Sequence, residues 1–177
     1  MGAGIPPAAE VIDDLSQPFP RAANGARWEM ITDGVMGGVS DGRLQRTAVA
    51  GRSALRLTGD VRLENNGGFV QMALDLAPGG GVVDASGWIG IALTVCGTGE
   101  GYGLHLRTDR AARPWQSWRQ GFVAAEGWAE LRLPFAGFAP HRIDGALEPA
   151  RLRRLGLVAI GRAFRADLAL ADLRFYR

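Results

Sequence analysis

The 177-residue chain carries 20 basic and 18 acidic side chains for a net charge of +2, and all 20 basic residues are arginine. Without lysine, Schiff-base chemistry and a P-loop lysine are excluded, and the single cysteine, Cys96, excludes an internal disulfide, a CxxC redox pair and a thiolate zinc site. With 47% hydrophobic residues and no apolar run near the ~20 residues of a membrane-spanning helix, the composition is that of one globular domain with its own core.

Residues 1–10 read as an extended lead-in marked by Pro6 and Pro7, and residues 11–177 as a single domain entered near Val11 to Leu15, with Asp13 and Asp14 as a solvated approach. The N-terminus lacks the basic and apolar regions of a signal peptide and the arginines of a transit peptide, which predicts a cytoplasmic protein. Trp28 then leads to the string Asp33-Gly34-Val35-Met36-Gly37-Gly38-Val39-Ser40. Its adjacent glycines imply positive φ or close backbone approach, and Asp33 and Ser40 are placed to bond local amides. The string reads as a structured loop, with a ligand-contacting loop as the alternative. It has the spacing of neither a P-loop nor GxGxxG.

A second turn signal is Leu63-Glu64-Asn65-Asn66-Gly67-Gly68-Phe69, in which Asn66-Gly67 tolerates the left-handed region and Phe69 anchors a following strand. The amides of Asn65 and Asn66 offer a secondary role as ligands, including to calcium, although no acidic cluster accompanies them. From there apolar residues recur with period two between glycine-rich turns. Strands are predicted around Val70 to Leu76, Ile89 to Val95, Tyr102 to Leu106, Leu131 to Leu133, Leu155 to Ala159 and Leu168 to Phe175. In the last of these the apolar phase slips between Leu170 and Leu173, which predicts a bulge near Asp172. Only Glu148 to Arg154 looks helical, with Pro149 in its first turn. The pattern as a whole predicts an all-β fold of two packed antiparallel sheets, a sandwich or jelly roll.

If Leu104 and Leu106 point inward, His105 and Arg107 point outward; if Phe122 points inward, so do Gln120 and Trp118, leaving Trp115, Ser117 and Arg119 on the other face. Such a face suits a protein partner or sugar stacking. Arg142, Arg151, Arg153, Arg154, Arg162 and Arg165 form a looser group that meets few acids nearby in sequence; it reads as a solvated face, with an anionic partner as the alternative, and nucleic acid is not implied. Catalytic signatures are thin. His105 and His141 lack zinc-site spacing, no serine lies in GxSxG, and no nucleophile, base and orienting group are recognisable together. No cofactor or metal is predicted.

Trp28, Asp33 to Ser40 and Glu64 to Phe69 together resemble the complex I intermediate-associated protein 30 family. The resemblance continues in order through Tyr102, Arg107-Thr108, Gln120, Phe122, Trp128, Leu133-Pro134-Phe135 and Phe138 to the final Leu168 to Tyr176 strand, covering roughly residues 11 to 177. It implies a galactose-binding-like jelly-roll sandwich and a non-enzymatic, chaperone-like assembly factor for intermediates of respiratory NADH:ubiquinone oxidoreductase. A mitochondrial member needs a targeting presequence, and none is recognised here, so a bacterial relative is expected. The leading reading is a protein-binding protein; the alternative is a carbohydrate or small-ligand module. The expected working surface is Arg107, Trp115 and Arg119 as exposed partner contacts, with Asp33 and Asn65 shaping the adjoining loops.

Overall fold

In the computed structural model, which describes residues 4–177, two antiparallel sheets pack face to face. One sheet has the order β3 (Asp41–Val49), β4 (Arg52–Val61), β12 (Phe164–Tyr176), β6 (Gly90–Cys96) and β9 (Ala129–Pro134), with β1 (Val11–Asp13) also paired to β12. The other, called here the β7 sheet, has the order β10 (Ala139–His141), β8 (Ser117–Ala124), β7 (Glu100–Thr108), β11 (Leu152–Ile160), β5 (Phe69–Asp75) and β2 (Glu29–Thr32). All the predicted strands are present, and the all-β sandwich is the fold.

Alternation explains the core. Leu55, Leu57, Ile91, Leu93 and Val95 face Val70, Met72, Leu74, Leu104, Leu106, Leu155, Leu157, Trp118 and Phe122 across the interior, all buried in one cluster. The register of β12 on β6 shifts between Leu170 and Asp172, and the extra residue keeps Leu168, Leu170, Leu173 and Phe175 all inside.

Several expectations change. The β3–β4 hairpin, absent from the sequence reading, turns through Ala50 and Gly51, both with positive φ. The segment Glu148 to Arg154 is not a helix: Pro149–Arg151 makes one 3-10 turn, and Leu152 is already extended because it pairs with Thr108 in β7 and with Val83. The lead-in docks as early as Pro6, whose carbonyl accepts from the amide of Asp84, and Ala8 is buried; residues 1–3 of it lie outside the described residues. Asp13 is no solvated approach. It is buried, and its carboxylate accepts from the indole of Trp28 at 2.7 Å and from the amides of Leu15 and Ala23, tying β1 to the segment before β2. Among the described residues, no helix is long and apolar enough to cross a membrane.

Candidate functional site

The two glycine-rich loops form one unit around Asp33. Its carboxylate is fully buried and accepts from the Ser40 amide (3.0 Å), the Ser40 hydroxyl (2.5 Å), the Gly68 amide (2.5 Å) and the Phe69 amide (3.3 Å). Burial pushes the carboxyl pKa up, but the hydrogen bonds from Ser40, Gly68 and Phe69 outweigh it and hold the group below its ordinary value. Glycine is required by closeness: a Cβ on Gly38 would stand 2.4 Å from Asp33 Cγ, and one on Gly67 would stand 2.5 Å from Asp33 Oδ2. Asn65, at φ 60°, adds a hydrogen bond from its amide to the Gly37 carbonyl, so this side chain fastens loop to loop. Thus held, the paired loops present Val35 (75% exposed), Met36 (60%), Val39 and Leu63 to solvent. Among the described residues, no three His, Cys, Asp or Glu side chains converge as a metal site would require.

The outer face of the β7 sheet carries the other candidates. Arg119 lies directly opposite His105 across β8 and β7, and His141 on β10 lies opposite Ser117. Arg119 Nε donates to Ser117 Oγ at 2.8 Å, which fixes the guanidinium on the sheet. Next to this row, Gly103 pairs with Gly121, and Gly156 pairs with His105; Gly121 is open, while a Cβ on Gly156 would meet Gln71 Oε1 at 2.6 Å. The His105 ring occupies the space over Gly103, since a Cβ there would meet its Nε2 at 2.9 Å. Among the described residues of the β7 sheet, Phe69 is the lone Phe, Tyr or Trp whose register places it outward.

Arg107 and Arg119 on this face are left without opposite partners, whereas Arg154 pairs with Asp75 and Glu29. Burial, followed by Arg119 and His141, brings the His105 pKa down to about 3. His141 is lowered by burial, then by Arg119 and Arg142. The pKa values of Arg119 and Arg107 are also lowered, first by burial and then by neighbouring arginines, Arg142 in one case and Arg153 and Arg154 in the other. Neither Arg107 nor Arg119 forms an ion pair among the described residues.

The expected surface is therefore split. Arg107 is half-buried rather than freely exposed: its guanidinium donates to the carbonyls of Ala111 (3.0 Å) and Arg113 (3.2 Å), and its Nε is buried without a partner. It holds the loop between β7 and β8, and Trp115, 52% exposed, sits on that loop instead of on a strand. Ser117 is buried. Asp33 and Asn65 do not adjoin these residues. Phe69 pairs with Ile160 at the end where β7 starts, whereas Trp115 follows Thr108 at the end where β7 stops, a separation of roughly 25 Å at about 3.3 Å per residue. The arginine group also meets more acids than sequence proximity implied: Arg151 pairs with Asp109, Arg154 with Asp75 and Glu29, Arg162 with Glu100 and Arg165 with Asp60.

Comparison with known proteins adds a family and a fold. The profile of the complex I intermediate-associated protein 30 family matches residues 18–170. No curated protein sequence matches the chain. Among solved structures, a family 11 carbohydrate-binding module from Clostridium thermocellum, in complex with a mixed-linked tetrasaccharide, superposes with a TM-score of 0.72 at 11% identity, covering 94% of each chain. A family 30 carbohydrate-binding module of a cellulosomal cellulase from the same organism gives 0.58 at 16% identity, covering 97% of this chain and 94% of that one. An agarase gives 0.63 at 11% identity over 95% of this chain and 26% of its own. At such identities the likeness is one of fold, the jelly-roll sandwich.

Proposed function

The chain belongs to the complex I intermediate-associated protein 30 family, and from that premise we propose that it is a non-catalytic protein-binding module with a part in assembling respiratory NADH:ubiquinone oxidoreductase. The observation that carries the reading is the pair of loops fastened by Asp33. A fully buried carboxylate is committed to holding Val35, Met36, Val39 and Leu63 in solvent, and clustered exposed apolar side chains mark protein interfaces. Arg107, Trp115 and Arg119, at the far end of the β7 sheet, form a second contact region in this proposal, with Asp33 and Asn65 as positioning residues of the first.

The alternative, carbohydrate binding, draws on the sandwich shared with carbohydrate-binding modules and on the open backbone at Gly121 on the outer face of the β7 sheet. Against it stands the aromatic content of that face: a sugar platform stacks on Trp or Tyr, and the outward strand positions offer only Phe69.

The deciding experiment is affinity capture with mass spectrometry, run beside titration with β-glucans. We expect enrichment of NADH:ubiquinone oxidoreductase subunits by the wild type and its loss in a Val35→Asp, Met36→Asp variant that melts normally. Saturable glucan binding with no subunit enriched would overturn the protein-binding reading in favour of the alternative.

A further inference from the structure

We propose that the cluster of Arg119, Arg142, His105 and His141 on the outer face of the β7 sheet seats a carboxylate of an acidic peptide segment. The inference rests on the protein-binding reading and names the chemistry of the partner at a surface distinct from the apolar loops.

Three observations carry it. First, Arg119 is locked in place with donors to spare: its Nε bonds Ser117 Oγ at 2.8 Å, and among the described residues its terminal nitrogens have no acceptor. A planar guanidinium fixed at one edge and free at the other suits a carboxylate, which accepts two parallel N–H bonds. Second, the surroundings are cationic and uncompensated. His105 lies opposite Arg119, His141 opposite Ser117, and exposed Arg142 follows His141 in the chain, while neither Arg119 nor Arg142 has an ion-pair partner among the described residues. Acids answer nine of the 20 arginines, and on this same sheet Asp75 answers Arg154 across β5 and β11. Third, the backbone at Gly121, two residues along β8 from Arg119, is bare. A Cβ on Gly121 would find only Tyr102 O, at 3.8 Å, so an extended peptide can lie close to the strands where it brings its acid to Arg119. The shortage of aromatic side chains on this face favours a peptide over an acidic sugar chain.

Bound acid has a second effect. His105 and His141 face Arg119 and Arg142, with the Arg154–Asp75 pair across β11, and burial, followed by this positive charge, lowers the pKa of both imidazoles. A carboxylate placed among them raises both pKa values, so binding takes up protons and tightens as pH falls.

The test uses the full chain and a fluorescently labelled oligoglutamate peptide at low salt, read by anisotropy, with oligolysine and polygalacturonate as comparators. We expect saturable oligoglutamate binding that weakens about tenfold in Arg119→Ala and, independently, in Arg142→Ala, whose exposed side chain leaves the fold intact. The imidazole titrations of His105 and His141, followed by nuclear magnetic resonance, should move upward with peptide bound. Absence of oligoglutamate binding, wild-type affinity in both variants, or oligolysine binding equally well would overturn the proposal. Tighter, Arg119-dependent binding of polygalacturonate would overturn the peptide assignment. Capture by the apolar loops is scored separately: if Arg119→Ala and Arg142→Ala still enrich the same subunits while oligoglutamate binding is unaffected, the acidic-segment proposal fails and the protein-binding reading stands.

Discussion

Ser40 Oγ donates to Oδ2 of Asp33 at 2.5 Å, in a site where no cation answers the carboxylate among the described residues. The charge is held by N–H and O–H dipoles alone. Replacing it with Asp33→Ala strands the amides of Ser40 and Gly68 inside the protein, and the cost should be about 3 kcal/mol in urea denaturation. Because the folded pKa lies below the ordinary carboxylate value, the stabilisation is fully present above the unfolded pKa near 3.8 and is lost as pH falls through the folded value. Asp33→Ala should remove that component from the acid limb of the stability curve.

The glycines around Asp33 should separate by mechanism. Gly38→Ala and Gly67→Ala drive a Cβ into a carboxylate that has no room to retreat, so both should melt well below the wild type. Gly37→Ala meets nothing within 4 Å and carries only the strain of φ +84°, about 1 kcal/mol. Equal melting temperatures for the three variants would contradict this ordering.

His105 should make the protein acid-sensitive. Its folded pKa of about 3 lies below the unfolded value near 6.5, so between these limits the unfolded chain binds more protons. Stability from the neutral imidazole is complete above pH 6.5 and is lost as pH falls toward 3, by at most about 1.4 kcal/mol per pH unit. His105→Gln should flatten the slope between pH 6 and 4 in thermal melts.

Arg107→Ala should act on structure before it acts on any partner. Loss of its bonds to the Ala111 and Arg113 carbonyls frees the loop that carries Trp115, which should raise amide exchange in residues 109–116 and change Trp115 fluorescence. The stability cost should be about 1–2 kcal/mol. Arg119→Ala, by comparison, should leave the loop's exchange unchanged.

Strand order aside, the fold was legible wherever apolar residues alternate on an inner face, as at Ile91, Leu93 and Val95 or Leu104 and Leu106. The β3–β4 hairpin escaped because two of its inward positions are glycine. A Cβ on Gly59 would stand 2.1 Å from the Asp41 carbonyl and one on Gly42 would stand 2.6 Å from Val70 Cγ1, so close packing removed the apolar markers that period-two reading needs. For the site, outward projection of Arg107 and Arg119 follows from alternation, and the bonding role of Asp33 from its loop chemistry. What alternation does not carry is distance across the chain. Gly68 is 35 residues from Asp33, Glu29 is 125 from Arg154, and only the finished sheets show which arginines find acids and which loops share an end.

The bond from Gly68 to Asp33 is also a buckle on a strap. It joins two points 35 residues apart, and closing a flexible loop of that length costs about 3 kcal/mol in chain entropy unless the intervening strands have already folded it. The strap is the β3–β4 hairpin, so the cost of closing the buckle is small once the hairpin has formed. Before that moment Val35, Met36, Val39 and Leu63 are loose apolar side chains; afterwards they form a single fixed patch. A protein that docked there, as proposed above, would meet that patch only on the folded chain.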